Sequence, residues 1–214
     1  MRLASVLVGF LLGLGAILLA WSRTPRGPKA AAAASRSAPQ AGTQRWVAPP
    51  VGADDLTWLR RRALAIPVAG LGPEDLRDTF ADAREGRRHE AIDLLAPRGT
   101  RVIAADDGIV VRLLTSSRGG RSVYQLDPSS TYCYLYAHLD RYVLRLREGL
   151  VLRKGETLGY VGSSGNASWR TPHLHFAVVK MGPEKAWGRG TALNPFALWV
   201  ARSDAEPAAR LPSR

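Results

Sequence analysis

The residues that could do chemistry are four histidines: His89 in RHEAID, His138 in YAHL, and His173 and His175 in TPHLHF. In a strand, residues two apart point to the same face, so His173 and His175 project together while Leu174 and Phe176 enter the opposite, core-facing side. Two adjacent imidazoles attract a metal, although an isolated HxH pair is equally well explained by two surface histidines that hold nothing. His89 and Asp93 lie four apart, which puts them on one face in a strand and in a helical turn alike. Such a pair alone occurs by chance. Combined with HxH, it supplies imidazole and carboxylate donors for a three-ligand site that leaves a fourth position to water, an arrangement a borderline cation such as Zn²⁺ accepts. Cys133 is the single cysteine, so an internal disulfide and a Cys-rich zinc site are both excluded.

His138 closes a run in which Tyr132, Tyr134 and Tyr136 alternate with Cys133, Leu135 and Ala137. The alternation predicts an aromatic, polar face that could line a substrate groove. Cys133, Leu135 and Ala137 would point inward, making Cys133 a small core residue rather than a nucleophile.

These side chains need rigid carriers. After about residue 90 the apolar pattern takes the period of strands in RVIAA, GIVVRLL, TYCYLYAHL, YVLRLR and LHFAVVK, punctuated by Gly108, Gly149, Gly155, Gly159, Gly162 and Gly165. The expected domain is mainly β. Upstream, Asp54 opens DDLTWLRRRALA, a short helix with Leu56, Leu59 and Leu64 on one stripe, and Pro73 with Glu74 and Asp75 opens a second short helix or turn.

Together, HEAID, YAHL, GSSGNASWRTPHLHF and NPFALW resemble the lysostaphin-type zinc metallopeptidases, the LytM-domain family, which cleave peptide bonds in bacterial peptidoglycan. The resemblance covers about residues 66–199, including the blocks GTRVIAADDGIVV and LRKGETLGYVGSSG. It implies an antiparallel β-sheet and hairpin sandwich with short N-terminal helices. It also implies one Zn²⁺ per chain held by His89, Asp93 and His175, with His138 and His173 as the two catalytic histidines. Many members have degenerate sites and activate other wall enzymes; all five matching positions are retained here, which implies activity. Ala91 stands where the family usually has Gly, and Ala177 follows HLHF where an acid is common; neither position is a ligand.

Two neutral imidazoles and one carboxylate leave a zinc ion net positive, so it lowers the pKa of its water towards about 7 and polarises a scissile carbonyl. No HExxH motif is present, so the usual zincin glutamate base is missing. His138 and His173 would take over proton transfer and oxyanion stabilisation, with acid–base work worth ~10²–10⁴-fold.

Length and composition agree with one ordinary domain: 214 residues, 46% hydrophobic and 22% charged, values that exclude a wholly disordered, collagen-like or polytopic membrane chain. The formal charge of +12 is uneven. Residues 1–50 carry six bases and no acid, residues 201–214 three bases and two acids, and the body between them 21 bases and 16 acids. Scattered arginines on that body read as a solvated surface, so no nucleic-acid partner is expected; the basic arm suits an anionic membrane surface or an envelope polyanion.

Residues 3–21 form an uncharged apolar run that, as a helix, reaches roughly 28 Å and spans a bilayer. With Ala20 and Ser22 as candidate cleavage residues, residues 1–22 read as a signal peptide or a membrane anchor. Arg23, Arg26 and Lys29 beyond the run count against export, which the catalytic reading nevertheless requires. Residues 23–53 read as a disordered Ala/Pro-rich tether, 54–88 as a helical lead-in, 89–200 as the metallopeptidase domain, and 201–214 as a disordered tail.

The expected protein is a zinc-dependent endopeptidase acting on peptidoglycan stem peptides or cross-bridges. It would be a monomer, exported to the bacterial cell envelope (periplasm) and held at the membrane by residues 3–21 if these are not removed. The alternative is a non-catalytic envelope adaptor that binds or activates another wall hydrolase, and a tightly held zinc separates the two. A cupin needs a further His after HxH, and an amidohydrolase needs a larger barrel. A biotinyl carrier, suggested by Val179-Lys180-Met181, would leave all four His unexplained.

Overall fold

A computed structural model describes residues 50–84, 86–184 and 190–200. The apolar run 3–21, most of the expected tether and the tail 201–214 lie outside the described residues. Among the described residues no helix is long and apolar enough to cross a membrane.

The domain is mainly β, and every strand pairing is antiparallel. Helix α1 (Ala53–Arg62) and one 3₁₀ turn (Pro73–Asp75) lead into a hairpin of β1 (Ala83–Arg84) and β2 (Arg87–Arg88). The main sheet runs in the order β12 (Gly190–Leu193), β11 (His173–Met181), β7 (Tyr132–Leu139), β6 (Gly120–Leu126), β5 (Gly108–Ser116), β9 (Val151–Leu152). Strand β3 (Ile92–Leu95) pairs with the first half of β11, and β12 with its second half. A smaller sheet places β10 (Thr157–Tyr160) between β4 (Arg101–Ile103) and β8 (Arg141–Tyr142). Both sheets feed one core: Val102 and Leu158 from the small sheet join Ile92, Tyr134, Tyr136, Leu174, Phe176 and Val178 from the large one. A short helix α2 (Phe196–Trp199), which the strand-dominated pattern did not suggest, closes that core with Trp199 packed 5.8 Å from Phe176.

Helix α1 forms as its sequence dictates. Asp54 and Asp55 sit in the first turn and Arg60, Arg61 and Arg62 in the last, each sign opposing the helix dipole end it lies near. The Gly52 N–H donates to Asp55 Oδ2 at 2.8 Å, and Leu59 is fully buried. Two ion pairs fasten the helix: Lys180 Nζ lies 2.9 Å from Asp55 Oδ1, and Arg62 binds both oxygens of Asp106 at 2.9 Å.

The tyrosine row faces the core, which reverses the expected orientation of β7. Tyr132, Tyr134 and Tyr136 are buried, and each hydroxyl finds a buried acceptor: Asp55 Oδ1 at 2.7 Å, Asp106 Oδ2 at 3.0 Å and Gln125 Oε1 at 2.7 Å. A phenol buries a large apolar ring at little penalty when its O–H is satisfied, so the core takes the aromatic face. Leu135 and Ala137 therefore line the groove on the other side of the strand. Cys133 is buried as expected, and burial pushes its thiol up to about 12.

The stretch YVLRLR is a turn beyond Tyr142 rather than a strand. Leu146 N–H donates to the Val143 carbonyl at 3.0 Å and Val143 N–H to Leu158 at 3.1 Å, so Val143 and Leu146 turn towards the core while Leu144 is fully exposed. Apolar anchors spaced three apart mimic half of an alternating pattern.

Candidate metal centre

Strand β11 does what its period requires: Leu174 and Phe176 are fully buried, and His173 and His175 stand on the opposite face. In the β3–β11 ladder, Asp93 lies directly across from His175, so the two side chains share a face. His89 arrives by another route. It lies in the bend between β2 and β3, beside Glu90 at φ +57°, so the segment from His89 to Asp93 is neither a regular strand nor a helical turn.

Three donor atoms converge. His89 Nε2 is 2.9 Å from His175 Nδ1 and 3.1 Å from Asp93 Oδ1, and His175 Nδ1 is 3.3 Å from Asp93 Oδ1. Tetrahedral zinc with bonds of about 2.0–2.1 Å sets its ligand atoms roughly 3.3 Å apart, so this triangle fits the ion with little adjustment. His173 Nε2 lies farther out, 3.7 Å from Asp93 Oδ1.

Electrostatics favour donors in their ligating forms. Burial opposes the charge on Asp93, but the imidazoles of His175 and His89 packed against it outweigh burial and hold the carboxyl well below the usual carboxylate range. Its other oxygen accepts from Arg84 Nη2 at 2.8 Å, and its main-chain N–H donates to Thr79 Oγ1 at 3.1 Å. Burial lowers His175, keeping it neutral.

His138 breaks the alternation of its own strand. The β6–β7 register passes from Val123↔Tyr136 to Arg121↔Leu139, so Ala137 and His138 together oppose the single residue Ser122. That is a β-bulge, and His138 adopts φ +60° in it. The extra residue swings His138 away from the buried tyrosines and into the groove, where its ring lies 5.0 Å from His173 and 5.7 Å from His175. Burial pushes His138 down to about 4, so the ring is neutral at pH 7.

Main-chain carbonyls orient three of the four rings. Nδ1–H of His89 donates to Thr79 at 3.0 Å, that of His138 to Ser164 at 2.8 Å, and that of His173 to Thr171 at 2.8 Å. A carbonyl can only accept, so in the neutral form of each ring the proton sits on Nδ1 and Nε2 presents a lone pair. The Ser164 carbonyl is held by a backbone-to-backbone contact that requires glycine. Gly165 has φ +75°, and a Cβ there would lie 2.3 Å from Gly120 N and 2.4 Å from Arg118 O.

All five residues singled out in the sequence thus line one groove of about 980 Å³. Among the described residues His89, Asp93 and His175 form the cluster able to hold a metal ion. Thr79, Ser164 and Thr171 escaped sequence reasoning because their carbonyls carry no side-chain signal. Arg84 escaped because no spacing rule links it to Asp93 on another strand.

Known proteins with related sequences share this region. The L-Ala–D-Glu endopeptidase of Bacillus subtilis is 34% identical over 131 residues, covering 58% of this chain and 40% of that protein. The peptidoglycan DD-endopeptidase ShyC of Vibrio cholerae is 33% identical over 99 residues, covering 46% of this chain and 22% of that protein. The chain thus spans less than half the length of either relative. The catalytic domain of the antimicrobial peptidase lysostaphin from Staphylococcus simulans is 23% identical with a TM-score of 0.48, covering 67% of this chain and 96% of that one. Residues 87–195, just over half of the sequence, match the model of peptidase family M23, and the chain belongs to that family.

Proposed function

We propose that this chain is a zinc-dependent endopeptidase that hydrolyses peptide bonds in peptidoglycan stem peptides or cross-bridges, in the bacterial cell envelope. The observation that carries the reading is the donor triangle of His89, Asp93 and His175 with two further imidazoles, His138 and His173, beside it. Family M23 is a family of zinc metallopeptidases, and the names of the relatives supply the class of bond.

In this reading His89 Nε2, Asp93 Oδ1 and His175 Nδ1 hold one zinc ion. When bound, zinc supplies a Lewis acid that polarises the scissile carbonyl and acidifies water. The lone pairs at Nε2 of His138 and His173 face the same space, so either ring can accept a proton from the attacking water there. Once protonated, the ring carries an N–H that can stabilise the developing oxyanion or return the proton to the leaving amine. Ser164 and Thr171 keep the opposite nitrogen committed, which prevents either ring from turning its lone pair away. Arg84 holds the second Asp93 oxygen and fixes the carboxylate's orientation.

The test is zinc stoichiometry on the purified chain together with release of soluble muropeptides from purified sacculi, with and without chelator. One zinc per chain and chelator-sensitive release are expected. Absence of both would overturn the reading in favour of the envelope adaptor.

A further inference from the structure

Resting on the endopeptidase reading, we propose that the groove selects an anionic peptide, with Arg87 and Arg118 binding substrate carboxylates on the two sides of the metal centre. Among the described residues the groove is lined by three arginines, Arg84, Arg87 and Arg118, against a single carboxylate, Asp93. That carboxylate is fully engaged by Arg84 and the histidines. Among the described residues no acid in the lining is left to neutralise the other two arginines.

The hairpin that delivers them breaks a local rule. Arg84 and Arg87 are direct cross-strand partners in β1–β2, and like charges placed opposite each other destabilise a strand pair. Asp93 answers Arg84 at 2.8 Å, whereas Arg87 is exposed and has no carboxylate partner among the described residues. A local conflict of this kind is expected where function demands it.

Arg118 stands on the His138 side, at the tip of the β5–β6 turn. Its main chain is pinned there: its carbonyl accepts from the Asn166 N–H at 3.0 Å, and the neighbouring Gly119 carbonyl accepts from the His138 N–H at 2.8 Å. The guanidinium has no carboxylate partner among the described residues. Two guanidiniums without a carboxylate partner among the described residues thus line the groove, Arg87 on the hairpin that carries Arg84, and Arg118 next to the glycine that binds the His138 main chain. A guanidinium matches a carboxylate with two parallel hydrogen bonds, and a cleft of one charge sign concentrates ligands of the other. A run of uncharged residues such as glycine would leave both groups unmatched.

The test uses the full-length chain loaded with zinc and two stem peptides identical except that the carboxylates flanking the scissile bond are free in one and amidated in the other. kcat/KM is read from product release, and Kd from calorimetry. The free-carboxylate peptide is expected to be favoured by about tenfold or more in both quantities. The double variant R87Q/R118Q is expected to bring the ratio close to one, while R101Q, which removes an exposed charge from the small sheet, keeps the wild-type ratio. Equal kcat/KM and Kd for the two peptides in the wild type, or a preference that survives R87Q/R118Q, overturns the proposal while hydrolysis of both leaves the endopeptidase reading standing. Tighter binding of the free-carboxylate peptide without cleavage of either supports the subsite and counts against the endopeptidase reading. Failure of both peptides to bind and to be cleaved overturns the subsite.

Discussion

Replacing His138 by Asn tests the bulge and the chemistry together. Asn is chosen because position 138 has φ +60°, a left-handed conformation that Asn adopts readily and that would add about 1–2 kcal/mol of strain to an Ala variant. The buried ring is neutral, pushed down to about 4 by desolvation, whereas in the unfolded chain it titrates near 6.5. The unfolded state therefore binds the extra proton first as pH falls. Stability due to this ring is fully present above about pH 6.5 and is lost progressively down to about pH 4. At pH 5 the loss amounts to about 2 kcal/mol. Urea unfolding of chelator-treated wild type and H138N at pH 7.5 and pH 5 should show the wild type losing about 2 kcal/mol more than the variant. Every other side chain is common to both proteins, so the difference reports His138 together with its coupling to the groups around it. With zinc restored, H138N should bind one ion and lose ~10²–10⁴-fold in kcat/KM. Parallel pH dependences would mean that the ring protonates freely in the fold. Wild-type turnover, or loss of zinc, would refute its place beside the metal centre.

Three further outcomes are expected. His89→Ala, Asp93→Ala and His175→Ala should each abolish both zinc binding and activity, read by metal content after dialysis, whereas His173→Ala should keep zinc and lose activity. Gly165→Ala should destabilise the domain by at least about 2 kcal/mol, because its Cβ would collide with main-chain atoms of Gly120 and Arg118 at a positive φ; chemical denaturation checks this. Cys133, buried with its thiol pushed up to about 12, should resist alkylation in the native state at pH 8 and react only as fast as the chain opens.

Much of the site was legible because it depends on strand period. HLHF announces two imidazoles on one face and two core residues on the other, and β11 realises that pattern. The helix from Asp54 and the turn at Pro73 were likewise carried by local signals, an acidic first turn and a proline at the start. What was not legible depends on partners distant in sequence. The alternation of β7 is symmetric in its hydrophobicity, and the choice of face rests on Asp55, Asp106 and Gln125 accepting three phenolic hydroxyls. His138 reaches the groove only through a bulge set against Ser122, and no sequence period encodes an extra residue. The convergence of arginines on the groove has the same origin, since Arg118 and Arg87 are 31 positions apart and line it from separate hairpins.

The carbonyl partners of His89, His138 and His173 bear on how such a site can change. A main-chain carbonyl is present whatever side chain its residue bears, so the tautomers of the imidazoles are insulated from substitution at positions 79, 164 and 171. The groove can be re-lined for a new substrate without altering the tautomers on which the proposed proton transfer depends. The site is permissive in side-chain identity and strict in backbone path, and an insertion or deletion in the loop before β11 would disarm it where most substitutions would not.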